Sequence, residues 1–296
     1  LRKLYYILLT MRPRQWTKNL VIFAGLIFSQ NVTNDALVWK SVEAFLIFCA
    51  LSGVIYIVND IADVDKDRLH QTKRNRPLPS GKLKKFDALA AAVWIGAGAL
   101  VLARFVGASF FGVAVAFFAL NILYSLVLKR IVLVDVVSIS LSFVMRAIAG
   151  VEALADVEPS ITISPWLLIC TLFLSLFLAF CKRRHELTTL GDAVRHREAL
   201  ADYSPALIDQ LVGITASGAL LSYSIYTIWP DTVEKFGTTR LIYTIPLVVV
   251  GVMRYLYLVY NKEKGGSPTD MLLSEKFLLI DVFLWIVLVV AIFYIF

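Results

Sequence analysis

Hydrophobic positions in this chain come in blocks rather than in alternation. Nine blocks approach membrane-spanning length, at about 16–33, 41–59, 86–104, 109–128, 132–151, 165–182, 208–228, 240–260 and 276–295, and an α-helix needs about 20 apolar residues to cross a hydrocarbon core. Inside the blocks there is no period-two pattern, so sheet is disfavoured. Helices, which satisfy their own backbone hydrogen bonds, are predicted. The first block is the weakest, because its apolar centre, NLVIFAGLIFS, must borrow turns from polar flanks. The pattern predicts an all-α polytopic membrane protein of nine transmembrane helices. It reads as one domain over 1–296, with cytoplasmic cap loops at about 60–86 and 182–207.

Composition agrees. Hydrophobic residues make up 59% of the chain and charged residues 17%, more apolar than a soluble domain of this length. Basic residues collect in alternate loops: Arg2 to Lys18, Lys66 to Lys85, Lys129 and Arg130, Lys182 to Arg197, and Lys262 and Lys264. The intervening loops hold NVTND, VEALADVEPS and PDTVEKFGTT. The positive-inside rule then places the N-terminus and the large polar loops in the cytoplasm and the C-terminus outside. The opening LRKLYYILLTMRPRQW has too short an apolar stretch for a secretory signal and reads as an interfacial helix. Its lack of an initiating methionine leads to the expectation of an open reading frame that begins upstream. Cys49, Cys170 and Cys181 lie in or at the end of apolar runs and read as buried hydrophobes, not as a disulfide or metal site. No nucleic-acid partner is expected.

Chemistry concentrates where the second block ends, in NDIADVDKD. On a helix Asp60, Asp63 and Asp67 fall within about 60° of one another, with Asn59 at the edge and Asp65 pointing elsewhere. Three carboxylates at a helix C-terminus repel one another and oppose its dipole. Either the basic neighbours Lys66, Arg68, Lys73, Arg74 and Arg76 neutralise a solvated helix end, or the acids hold one or two Mg²⁺ ions that bridge to substrate phosphate. In the fifth block Asp135, Ser138, Ser142 and Arg146 form one stripe. Asp135 and Arg146 are about 16 Å apart along a helix, so each must find its partner on another helix or in a ligand. After the sixth block comes KRRHEL, with Lys182 and Glu186 one turn apart, Arg183 beside them, and Arg195 beyond. Such a basic group suits a substrate carrying phosphate at more than one point. The RPLPSG stretch, Arg76 to Gly81, is turn chemistry that stiffens a loop.

The stretch NDIADVDKDRLHQTKRNRPLPSG resembles the first aspartate-rich signature of the UbiA superfamily of intramembrane transferases, and LYSLVLKR resembles that family's segment at the end of the fourth span. The resemblance implies nine helices around a central cavity, with Mg²⁺ and a diphosphate substrate at its cytoplasmic mouth. Most members carry a second aspartate-rich motif after the sixth span, where this chain has KRRHEL. With MRPRQWTKNLVIFAGLIFS and FVMRAIAGVEA, that substitution resembles the decaprenyl-phosphate phosphoribosyltransferase branch. The branch implies phosphoribosyl diphosphate as donor and a polyprenyl phosphate as acceptor, in synthesis of a cell-wall arabinan precursor at the plasma membrane. It implies Asp60, Asp63 and Asp67 as catalytic metal ligands for Mg²⁺, with Mn²⁺ as a substitute and Asn59 in support. Lys129 and Tyr124 would reach the leaving group, and Lys182, Arg183 and Arg195 the 5-phosphate, with Glu186 orienting. Arg146 and Arg14 would steer the lipid phosphate. Lys18, Lys73, Arg76 and Asp135 complete the expected substrate-binding set, with membrane lipids and a homo-oligomer as further partners. The alternative is a UbiA-type prenyltransferase using a prenyl diphosphate.

Overall fold

Eight helices among the described residues are long and apolar enough to cross a membrane. The computed structural model describes residues 2–69, 72–189, 202–262, 265–266 and 268–295. The chain divides into two compact units, Leu1–Lys129 with Ser142–Ile163, and Arg130–Leu141 with Ser164–Phe296.

The first unit begins with α1 (Arg2–Thr10), whose Leu4, Tyr5, Leu8 and Leu9 side chains are exposed, as an interfacial helix requires. A 3-10 segment, Pro13–Phe23, passes into the short α2 (Ala24–Phe28). The first apolar block is therefore mostly 3-10, with only a short α-helical end. Pro13 sits in its first turn, and a buried Asn19 turns its side chain to hydrogen bonds with Cys49 and Arg146, far along the chain. Long α3 follows (Asp35–Ala62), started by Asn34, whose side-chain oxygen accepts from Ala36 N–H at 3.1 Å and Leu37 N–H at 3.4 Å. Then come α4 (Val64–Leu69), α5 (Lys85–Val106), α6 (Ala108–Leu126) and α7 (Val134–Ala155). The first turns of α7 belong to the second unit and the rest to the first. Phe48 of α3 anchors the first unit's core, with its ring 4.7 Å from Phe117 and 5.8 Å from Phe110.

In the second unit α8 (Pro165–Thr189) packs along α9 (Pro205–Ile228), which starts on a Ser204 cap and Pro205. It continues through α10 (Pro230–Phe236), a 3-10 turn Arg240–Thr244, α11 (Ile245–Asn261), α12 (Pro268–Ser274) and α13 (Lys276–Tyr294). Glu275 caps α13, accepting from Leu278 N–H at 2.9 Å, and pairs with Arg254 at 2.6 Å. The core here is Phe177, Ile208, Val212, Tyr255 and Leu258. Trp94, Phe105, Leu221 and Phe283 are exposed, which water would penalise and hydrocarbon does not.

One close approach holds the first unit together. A Cβ on Gly150 of α7 would overlap the Ile22 carbonyl oxygen, and a Cβ on Gly25 would lie 2.8 Å from the Gly150 carbonyl oxygen. Small residues permit such backbone contact between helices in a membrane. Gly150→Ala is expected to destabilise by about 1–3 kcal/mol through overpacking. Gly98→Ala, whose added Cβ meets open space, should be neutral or stabilising. Unfolding of both variants in detergent measures the difference, and equal stability would refute the contact's importance.

Candidate functional site

The acidic signature stands at the end of α3. Asp60 lies in its last turn, Asp63 caps it, and α4 restarts at Val64. The Asp63 N–H donates to Asn59 C=O at 2.9 Å and the Asp67 N–H to Asp63 C=O at 2.8 Å. The helical hydrogen-bond pattern thus crosses the break, and the expected phase of the aspartates is kept. Asp65 points away, is exposed, and pairs with Arg68 at 3.2 Å.

Cations hold the other three. Asp60 is 1% exposed, and its Oδ1 accepts from both the Arg12 guanidinium and Arg76 Nη1, the latter at 3.2 Å. The same Arg76 nitrogen donates to Asp67 Oδ2 at 2.8 Å, and Lys73 stands 3.8 Å from Asp67 Oδ1. Lys129 donates to both oxygens of Asp63, at 2.9 and 2.7 Å, and to Asn59 Oδ1 at 3.3 Å. Arg76 reaches this cluster because the RPLPSG stretch turns back on itself, with Ser80 N–H to Arg76 C=O at 3.0 Å and Leu83 N–H to Pro77 C=O at 2.9 Å. The structure brings together Asn59, Asp60, Asp63, Asp67, Lys73, Arg76 and Lys129.

Arg12 also belongs here, and sequence reasoning did not single it out. Its backbone is left-handed (φ 55°), and its guanidinium lies 4.8 Å from the centroid of the Tyr56 ring, one turn before Asp60. Nothing local in MRPRQW marks a contact with a residue 48 positions away.

Carboxylate and amide oxygens are the donor chemistry of a hard divalent cation, so these residues fit Mg²⁺. Among the described residues no three carboxylate, His or Cys groups gather closely enough to surround an ion by themselves. Mg²⁺ takes one or two carboxylates and completes its shell with water and substrate oxygens, and Asp60 and Asp67, joined through Arg76, suit that role.

The second unit holds a separate buried network. Arg183, 1% exposed, has its Nε 3.2 Å from Asp135 Oδ2 and its terminal nitrogen on Glu186. Lys182 lies 3.9 Å from the other Glu186 oxygen. Tyr203 donates its hydroxyl proton to Asp135 Oδ1 at 2.9 Å and accepts from Leu133 N–H at 2.7 Å, where Leu133 is left-handed (φ 66°). Burial, with the Asp135 carboxylate beside it, pushes the Tyr203 phenol well above its usual range, so the group remains a donor.

Arg146 finds its partners in the first unit. Its Nε donates to Asn19 Oδ1 at 2.7 Å and its Nη1 to Ser142 Oγ and C=O, both at 2.8 Å, while Phe117 and Phe143 flank it at 4.7 and 5.1 Å. Asp135 and Arg146 are therefore partnered separately, as their spacing required. Asn19, which also contacts Cys49 and Ser52, carried no sequence signal beyond its polarity. Arg14 is exposed, and Lys18 and Tyr124 are half-buried. Arg195 lies outside the described residues. The three cysteines are free. A cavity of about 580 Å³ opens between α3 and α5 beside Lys40 and Glu43, lined by Leu46, Leu102 and Phe105, and lies at the other end of α3 from Asp60.

Fold and site together define a polytopic α-helical membrane protein that buries an acid–base cluster where a span ends. The chain belongs to the UbiA prenyltransferase family, whose model matches residues 19–287. It is 31% identical to the decaprenyl-phosphate phosphoribosyltransferase of Corynebacterium glutamicum, over 96% of this chain and 86% of that one. With the enzyme of the same name from Mycobacterium tuberculosis it shares 30% identity, over 95% of this chain and 92% of that one. Its fold is that of a UbiA homologue from Archaeoglobus fulgidus solved with GPP and Mg²⁺, with a TM-score of 0.74 at 18% identity, covering 98% of this chain and 100% of that one.

Proposed function

We propose that this protein transfers 5-phosphoribose from phosphoribosyl diphosphate to a polyprenyl phosphate and releases diphosphate. The observation that supports this most is near-full-length similarity, at about one residue in three, to the two phosphoribosyltransferases above. The basic KRRHEL, standing where prenyltransferases of the family have acids, points the same way.

In this reading Asp60, Asp63 and Asp67, supported by Asn59, would together hold Mg²⁺ and the donor's diphosphate, with one or two of the carboxylates on the ion. The ion supplies charge neutralisation for the departing group. Lys129 and Tyr124 take leaving-group oxygens. Lys182 and Arg195 take the 5-phosphate, while buried Arg183 fixes Glu186 and through it Lys182. Arg146 and Arg14 steer the lipid phosphate, whose oxygen attacks C1 in one inverting displacement. An ionised phosphate needs no strong general base, so positioning and electrostatics carry most of the rate. The product serves cell-wall arabinan synthesis, with the cluster on the cytoplasmic face of the plasma membrane. Residues 13–28 form the ninth crossing, since a 3-10 rise of about 2 Å per residue lets so short a segment approach 30 Å.

The test is transfer of labelled phosphoribose to a polyprenyl phosphate by detergent-solubilised protein. Product is expected only with a divalent cation, Mg²⁺ or Mn²⁺. Absence of product while donor binding is intact would refute the reading, and use of a prenyl diphosphate instead would favour prenyl transfer.

A further inference from the structure

We propose that Arg12 and Arg76 are exchangeable counter-ions. They would leave Asp60 and Asp67 when a divalent cation enters and take up oxygens of the diphosphate that enters with it. This rests on the metal–diphosphate reading of the cluster and goes beyond it by coupling the two ligands.

The argument begins with valence. Asp60 Oδ1 already accepts from two guanidinium groups, and Asp67 from Arg76 with Lys73 close by. A metal ion and a guanidinium cannot occupy the same carboxylate lone pair. A metal ion bound through Asp60 Oδ1 would therefore displace at least one arginine, and a displaced arginine in a partly buried site needs a new anion. Charge counting points the same way. Among the described residues the cluster holds three carboxylates, Asp60, Asp63 and Asp67, and four cations paired with them, Arg12, Lys73, Arg76 and Lys129. A divalent cation added alone enlarges the positive excess, and a diphosphate added alone reverses it. The two together leave the site near neutrality. In a low-dielectric environment such differences are large, so each ligand should bind weakly alone and strongly with the other.

Geometry makes the exchange feasible. Arg12 and Arg76 keep about a quarter of their side-chain surface exposed while Asp60 is sealed, so the cations can move and the acid cannot. Arg12 also lies against Tyr56, a face that can keep the guanidinium near after it leaves Asp60. Its left-handed backbone, costly for any residue but glycine, holds the arginine at this spot immediately before Pro13.

The experiment is Mn²⁺ titration of the purified full chain, following free Mn²⁺ by electron paramagnetic resonance with and without inorganic diphosphate, corrected for Mn²⁺–diphosphate in solution. Wild type should bind Mn²⁺ about tenfold or more tightly with diphosphate present. Arg12→Gln should bind Mn²⁺ alone several-fold more tightly than wild type, because a competitor is gone, and should lose most of the diphosphate enhancement. Arg76→Gln should shift in the same directions. Weaker Mn²⁺ binding by both variants without diphosphate would make the arginines fixed positioning groups and overturn the exchange, leaving the metal reading intact. No Mn²⁺ binding by wild type even with diphosphate would overturn the metal reading itself.

Discussion

Asp60→Asn is expected to lower phosphoribosyl transfer by about 10²-fold or more, the scale on which a preorganised electrostatic group contributes, while the protein stays folded. Asparagine keeps the shape of the side chain and one accepting oxygen for the guanidinium groups that converge there. What it removes is the negative charge, and with it the anionic ligand proposed for the metal. Asp63→Asn should behave alike, since Lys129 contacts both of its oxygens. Asp65→Asn is the internal comparison: exposed, paired with Arg68 and turned from the cluster, it should leave the rate unchanged. Initial rates under saturating substrates, with gel filtration and circular dichroism to confirm folding, decide the matter. Full activity in Asp60→Asn would refute the metal assignment.

The separation of Asp65 from Asp60, Asp63 and Asp67 was legible because it depends on local spacing. The periodicity of NDIADVDKD separates Asp65 from its three neighbours, and the structure keeps that separation across the break at Asp63. The long apolar blocks were legible for the same reason. The block at 41–59 lies within α3, and that at 86–104 within α5. The spacing of Asp135 and Arg146 required separate partners, and they have them. The identity of those partners was not legible. Arg183 and Tyr203 come to Asp135, and Asn19 to Arg146, from far along the chain, and nothing in a single sequence encodes such contacts. The 3-10 segment escaped for a related reason. A hydropathy window registers how apolar Pro13–Phe23 is, but not that Gly25 and Gly150 bring its backbone against α7.

The second large effect concerns stability. Arg183→Met should destabilise the protein by about 3–5 kcal/mol, because it removes the cation paired with a buried carboxylate. Asp135 is fully buried, and Arg183 is the guanidinium set against its Oδ2, while the Tyr203 hydroxyl donates to Oδ1. Asp135→Asn strands Arg183 less severely, since Glu186 remains its partner and Lys182 stands by Glu186. The double variant removes the buried acid together with its cation, so it should be more stable than Arg183→Met alone. Denaturant or thermal unfolding of the wild type, both singles and the double forms the cycle, and additive effects would show that the pair carries no coupling. Lys182→Ala provides the functional contrast. Lys182 is far more exposed than Arg183, so its loss should leave folding intact and weaken use of the phosphoribosyl donor. Adjacent basic residues of KRRHEL then divide by burial. Arg183 answers chiefly in stability and Lys182 chiefly in donor use, and the same effect on both readouts at both positions would refute that division.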